Sequence, residues 1–239
     1  MRKGLVVVVF VLVVGAVIGS AATGGAATNL RQDLNHRLTN STSTNWSGYA
    51  VTGSRYTSVS ASWTEPSVSC SGTAYSSFWV GLDGDTSSTV EQLGTDADCS
   101  GSTPQYYAWT EMYPKYPVNL SGTVKPGDKL TASVTTNGSG SFTLKITDST
   151  EGWSSTTNAK LHSASLASAE VIAEAPSSRS GVLPLADFGS VGFTGATANG
   201  TEMDQLSGLD PITMASGSTV KAQPSTMSGG SFSVTWKHS

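Results

Sequence analysis

Carboxylates and amides are the groups with which this chain could do chemistry. The segment Ser168-Ala169-Glu170-Val171-Ile172-Ala173-Glu174-Ala175-Pro176 carries two of them. Read as a strand, it puts Glu170, Ile172 and Glu174 on one face and Ala169, Val171, Ala173 and Ala175 on the other. The glutamates then stand about 13 Å apart, at roughly 3.3 Å per residue. They cannot both touch one substrate atom. One can do chemistry while the other holds a neighbour or lines the cleft; solvated glutamates on an exposed edge strand are the plain alternative.

Other chemistries fail on residue supply. The histidines are His36, His162 and His238. Only His162 falls within the main body of the chain, and no G-x-S-x-G elbow accompanies it. Solvated or capping histidines are the simpler reading. There is no H-E-x-x-H and no His/Cys cluster at metal-ligand spacing, so neither metal nor cofactor is expected. No glycine-rich phosphate loop joins a strand to a helix. Cys70 and Cys99 are the only cysteines. In an exported chain they are expected to pair, which removes a thiol nucleophile and ties down the segment between them.

That segment includes FWVGLDGDTSSTVEQLG, Phe78 to Gly94. Phe78, Val80 and Leu82 alternate with Trp79, Gly81 and Asp83, and Val90 shares a face with Gln92. Asp83 to Ser88 is turn chemistry. Two strands and a turn follow, with Trp79, Asp83 and Gln92 lining a cleft. In Gln105 to Pro114, Tyr107, Trp109, Glu111 and Tyr113 share a face. Further strands are expected at 58–64, 130–135, 141–148, 167–175, 189–193 and 232–236. No helix of ten or more residues is expected in the mature region. Many short strands at regular spacing argue an all-β fold, an antiparallel two-sheet β-sandwich of the concanavalin A-like, jelly-roll kind.

Composition agrees. Of 239 residues, 13% are charged and 37% hydrophobic, against about 25% charged in an average domain. Net charge is −4, or −6 once Arg2 and Lys3 are removed (−4 minus 2). An acidic chain without Lys/Arg clusters argues against nucleic acid as a partner. Residues 1–22 read as a signal peptide: Met1-Arg2-Lys3, an apolar run from Leu5 to Ile18, then small residues to Ala22. The run is shorter than the roughly 20 residues that span a bilayer. A secreted, monomeric protein without stable membrane association is expected. Residues 23–44 form a polar segment or short propeptide, with a helix-compatible piece from Leu30 to Leu38. Residues 45–239 form one domain.

Six pieces carry a resemblance: Asn45-Trp46-Ser47-Gly48, Trp79 to Asp85, Gln92 to Asp96, Trp109 to Pro114, Ala169 to Glu174, and Ala186-Asp187-Phe188-Gly189. In these, and in their order, the chain resembles the glutamic peptidases of the eqolisin family. The resemblance implies a two-sheet sandwich and a secreted, pepstatin-insensitive acid endopeptidase acting on polypeptides. It implies a catalytic pair of Gln92 and Glu170. It implies that Trp46, Trp79, Asp83, Trp109, Glu111, Tyr113 and Glu174 line the substrate cleft. Two positions depart from the family pattern: a tryptophan is replaced by Val171 and an acidic residue by Tyr107. Either change could reshape subsites or the pH profile.

The pair makes chemical sense. Peptide hydrolysis needs an activated water, a stabilised oxyanion and a proton for the leaving amine. A carboxylate supplies the first and last, and an amide supplies the second. A neutral amide also spares Glu170 the like-charge repulsion of a second carboxylate, which points to an acidic optimum. Two other classes fit an aromatic-lined sandwich. One is a lectin-like carbohydrate-binding module; the other is a glycoside hydrolase using Glu111 and Glu170, whose carboxyls would have to stand about 5–9 Å apart.

Overall fold

The computed structural model describes residues 42–239 and, as backbone only, the two-residue strand Arg37–Leu38. The expected leader, most of the polar segment 23–44 with its helix-compatible piece, and His36 lie outside the described residues. Among those described, no helix is long and apolar enough to cross a membrane. Among the described residues the helical content is one 3₁₀ turn, Met203–Gln205.

Everything else of weight is strand. We number the principal strands β1 Trp46–Thr52, β2 Ser58–Thr64, β3 Ser77–Leu82, β4 Val90–Ser100, β5 Thr103–Tyr113, β6 Val118–Asn119, β7 Lys129–Thr136, β8 Ser141–Asp148, β9 Trp153–Lys160, β10 Ser168–Glu174, β11 Ser190–Ala198, β12 Leu209–Ser216, β13 Thr219–Pro224 and β14 Phe232–Trp236. The first sheet runs β12-β1-β10-β3-β4-β5-β6. The second runs β9-β8-β7-β2-β11-β14-β13-β12. All these pairings are antiparallel. β12 serves both sheets: Leu209 to Ile212 pair with β1, and Met214 to Ser216 pair with β13. Ahead of Asn45, Thr42–Ser43 already joins the structure, pairing with Arg37–Leu38 and, in parallel, with Thr213 and Met214.

The sandwich follows from alternation. In β8, Phe142, Leu144 and Ile146 are buried while the residues between them face out. They meet Phe78, Val80 and Leu82 of β3 and Ala169, Val171 and Ala173 of β10 in one core. Burying each large apolar side chain here contributes about 1.5–3 kcal/mol. The alanines of β10 are small because the strand is central, flanked by β1 and β3. Every residue of β10 is buried. The exposed edge strand with solvated glutamates is therefore not what forms.

Cys70 and Cys99 are disulfide-bonded, with Cα atoms 5.4 Å apart. The bridge fastens the loop ahead of β3 to the far end of β4, whose near end carries Gln92. It closes the segment from which three of the expected cleft residues come.

Candidate functional site

The face of the first sheet opposite the core holds the site, and strand register builds it. Glu170 in β10 pairs with Ala50 of β1 on one side and Gly81 of β3 on the other. Gly81 pairs with Gln92 of β4, and Gln92 with Glu111 of β5. One row across four adjacent strands therefore reads Glu170, Gly81, Gln92, Glu111. With strands about 4.8 Å apart, the backbones of Glu170 and Gln92 are separated by roughly 10 Å. Glycine occupies the position between them. A Cβ on Gly81 would lie 2.9 Å from the Trp79 ring and 3.2 Å from Gln92 Cβ. The Trp79 ring and Gln92 Cβ already stand over Gly81, so only glycine fits between the strand that carries the carboxyl and the strand that carries the amide.

Gln92 is oriented from the far side. Its Nε2 donates to Glu111 Oε2 at 2.7 Å. Among the described residues, its Oε1 receives no hydrogen bond. Glu170, Gln92 and Glu111 are at most 2% exposed.

The next row is aromatic: Ile172, Trp79, Gly94, Trp109. Gly94 is forced by Trp79, since a Cβ there would sit 2.1 Å from the Phe78 carbonyl oxygen and 2.6 Å from Trp79 Cβ. Trp46 meets Trp79 edge to face, with ring centroids 5.1 Å apart. These rings, Ile172 and Ile212 form a second apolar cluster, with Tyr107 and Tyr113 packed at its margin.

A third row supplies buried acids that hold the indoles. Glu174 accepts from Trp79 Nε1 at 2.8 Å and from Asn45 Nδ2 at 3.0 Å. Burial raises its carboxyl well above the usual range, with Glu111 adding to the effect. Asp96 accepts from Trp109 Nε1 at 2.6 Å, and Asp98 accepts from the Tyr107 hydroxyl at 2.8 Å. Burial pushes Asp96 up to about 6 and Asp98 well above its ordinary value. A protonated acid can sit in this dry face; an unpaired carboxylate would be costly.

Most of the expected site residues come together here: Trp46, Trp79, Gln92, Trp109, Glu111, Glu170 and Glu174, with Tyr113 at the rim. Asp83 does not stay on this face. Its φ of 67° turns the chain out of β3. Its two carboxyl oxygens accept from the backbone N–H groups of Leu166 and Ala167, each at 2.8 Å. Asp83 thus organises the entry to β10 rather than lining the cleft. The departure at Val171 is also a core matter, because Val171 faces the opposite sheet. Tyr107 is a site residue, and its phenol donates to an acid. Asn45, Asp96, Asp98 and Glu91 were not among the expected site residues. Asp96 and Asp98 were legible in principle, since each shares the strand parity of Gln92. Among the described residues, no group of three or more His, Cys, Asp or Glu is placed to hold a metal ion.

Known proteins share this arrangement. Residues 44–236 match the sequence profile of a family described as the Peptidase A4 family. Aspergillopepsin-2 of Aspergillus niger is 32% identical over 190 residues, covering 69% of this chain and 67% of that protein. A crystal structure of scytalido-glutamic peptidase with a transition state analog inhibitor superposes with a TM-score of 0.72 at 28% identity, covering 81% of this chain and 98% of the other. A member of the eqolisin family of peptidases in complex with the tripeptide Ala-Ile-His superposes with a TM-score of 0.68 at 26% identity, covering 81% and 98%.

Proposed function

This chain belongs to the Peptidase A4 family and is a glutamic-type endopeptidase acting on polypeptides, and we propose that Glu170 and Gln92 are its catalytic pair. The observation that carries the assignment is the row Glu170, Gly81, Gln92, Glu111. It sets a carboxyl and an amide two strands apart on the face opposite the core.

The scissile carbonyl enters between Glu170 and Gln92. A water held between Glu170 and Gln92 Oε1 loses a proton to the Glu170 carboxylate as its oxygen attacks the carbonyl carbon. The tetrahedral oxyanion accepts from the Nε2–H of Gln92 that Glu111 does not use. Glu170 then returns the proton to the amide nitrogen. The C–N bond breaks, and acid and amine products leave. Glu111 orients Gln92, while Trp46, Trp79, Trp109 and Tyr113 supply apolar walls for substrate side chains. Because Gln92 is an amide and not a second carboxylate, Glu170 is spared one like-charge repulsion, and we expect an acidic optimum. Pepstatin, which targets a pair of aspartates, should not inhibit.

A glycoside hydrolase using Glu111 and Glu170 is disfavoured by the same row. Three strand spacings separate their backbones, about 14 Å, and Gln92 stands between them. We further propose that residues 1–22 direct export, that residues 23–44 are a polar segment or short propeptide, and that the mature enzyme is a monomer. The deciding experiment is cleavage of denatured protein at about pH 3–4, in the carboxyl range, with pepstatin as a control. Glu170→Gln and Gln92→Ala should each abolish it while leaving the circular dichroism spectrum intact. Near-wild-type turnover in Glu170→Gln would sink the assignment.

A further inference from the structure

Behind the site, on the core side of the first sheet, lies a pair of acids that the mechanism does not use. Glu91 follows from strand parity: Gln92 faces the cleft, so Glu91 faces the core, beside Leu82 and Met112. It is fully buried, and among the described residues neither of its oxygens has a hydrogen-bond partner within normal distance. The neighbouring acid is Asp83, also fully buried. Thr89 is the other polar neighbour of Glu91, and Asp83 is the one titratable group among the described residues that bears on it. Among the described residues, no basic side chain pairs with either acid.

Asp83 occupies a junction. The hairpin that leaves β3 at Asp83 returns as β4 with Gln92. The turn at 165–167 leads directly into β10 and Glu170. Asp83 joins the two: its carboxyl oxygens accept from Leu166 N and Ala167 N, and its own N–H donates to the Ser168 carbonyl at 3.0 Å. Leu166 has φ 55°, and Asp83 has φ 67°. Two non-glycine residues in the left-handed region, one at each end of the same contact, persist only where the surroundings hold them. The Leu166 carbonyl is further fixed by Tyr56 N–H at 2.9 Å.

We propose that Asp83 and Glu91 form a carboxyl pair sharing one negative charge, and that this pair is the positioning device that holds the start of β10 in register with the Gln92 hairpin. The proposal rests on the reading of Glu170 and Gln92 as the catalytic pair. Two charges in a dry site without a counter-ion are strongly disfavoured, so one carboxyl keeps its proton. Two backbone N–H groups are aimed at the Asp83 carboxyl. Glu91 takes the proton, and burial with Asp83 alongside pushes it up to about 8. In acid the contact is closed. When Glu91 ionises, repulsion acts on the one side chain that ties the turn down. Neither residue touches the reacting atoms; both act through the placement of Glu170.

Amide hydrogen exchange read by mass spectrometry tests this on the full chain, with rates corrected for their intrinsic pH dependence. In the wild type, protection of residues 163–172 should fall about tenfold as the pH passes about 8, before residues 141–160 lose theirs. Glu91→Gln keeps a neutral group of the same shape and should hold that protection through the same range. Asp83→Asn should weaken it at every pH and lower kcat about tenfold or more with little change in KM. The proposal is overturned if Glu91→Gln loses protection at 163–172 at the same pH as the wild type, or if both segments open together in both proteins. The Glu91→Gln arm decides even if Asp83→Asn does not fold. The exchange readout is independent of turnover, so an inactive or active Glu170→Gln bears on the catalytic pair alone.

Discussion

Gln92 and Glu111 face each other across β4 and β5, and the amide Nε2 donates to the carboxyl Oε2 over 2.7 Å. In the proposed mechanism this contact decides which end of the amide meets the substrate. With Nε2 held at Glu111, Oε1 and the second N–H are the groups left for a water and an oxyanion. The Glu111→Gln variant keeps the volume but offers an ambiguous partner, so the amide can turn over. A hydrogen bond to a charged group contributes about 1.5–3 kcal/mol, which corresponds to a loss of roughly 10- to 100-fold in kcat. Steady-state kinetics on a peptide substrate checks this, with KM expected to move less than kcat.

Close packing over Gly81 and Gly94 yields a contrast between two glycines. Gly81→Ala adds a methyl that meets a side-chain ring at 2.9 Å and Gln92 Cβ at 3.2 Å. Side chains can give way, so the fold should survive at a cost of about 1–3 kcal/mol, while Trp79 and Gln92 are pushed out of place. Gly94→Ala places its methyl 2.1 Å from a backbone oxygen, and a central sheet cannot yield that far. We expect Gly81→Ala to be folded with little activity, and Gly94→Ala to be insoluble or unfolded. Thermal melts with activity assays on the soluble fraction separate the two. A fully active Gly81→Ala would mean that turnover does not depend on the exact placement of Trp79 and Gln92.

Much of this arrangement was legible in the sequence, and the failures have physical causes. Ser141–Asp148 and Phe232–Trp236 were expected at their observed bounds, because their apolar residues alternate against a buried face. β9 was not expected. Its inward side chains include Ser155 and Thr157 and are only half-buried, so polar residues suffice there and no apolar period marks the strand. Asp83 was assigned to the cleft by carrying a period of two one residue too far; the strand ends at Leu82 and the left-handed φ of Asp83 redirects it. Glu91 was implied by the parity of Gln92, but its neighbour comes from a turn, and no local pattern reveals a contact between strand and turn. The alignment of Glu170 with Gly81 and Gln92 is a matter of register between strands some 80 residues apart. Residue types alone do not fix that register; the resemblance to a family supplied the pairing.

Glu174 separates holding from catalysis. It stands four residues along β10 from Glu170, and its two oxygens are taken by Trp79 and Asn45. In Glu174→Gln the side-chain oxygen can still accept from the indole, but the new NH₂ opposes the Asn45 amide. The lost bond should cost about 1–3 kcal/mol and let Trp79 shift, raising KM while leaving measurable turnover. Parallel assays of Glu170→Gln and Glu174→Gln decide between them. A dead Glu174→Gln beside an active Glu170→Gln would reverse the assignment of the two glutamates.

The buried acids also set the pH range in which the fold holds. Glu65 is 1% exposed, accepts from Thr95 Oγ1 at 2.5 Å and from Trp63 Nε1 at 3.3 Å, and is pushed up to about 8, chiefly by burial. Asp96 on the cleft face is pushed up to about 6. In each case the folded value lies above the unfolded one, so the folded state binds protons more tightly. That contribution is fully present below the unfolded carboxyl value, near 4, and is lost as the pH rises through the folded values of about 6 and about 8. For one such group the loss is on the order of a few kcal/mol, a large part of the stability of a single domain. Melting temperature should therefore be highest in mild acid and fall steadily from about pH 5 to about pH 8, the reverse of a protein held by salt-bridged carboxylates. Glu65→Gln removes one of these protons and should flatten the upper part of that fall without altering its start, which belongs to Asp96. Differential scanning calorimetry of both proteins across this range checks the expectation, and identical pH profiles would show that Glu65 is not among the groups that set it.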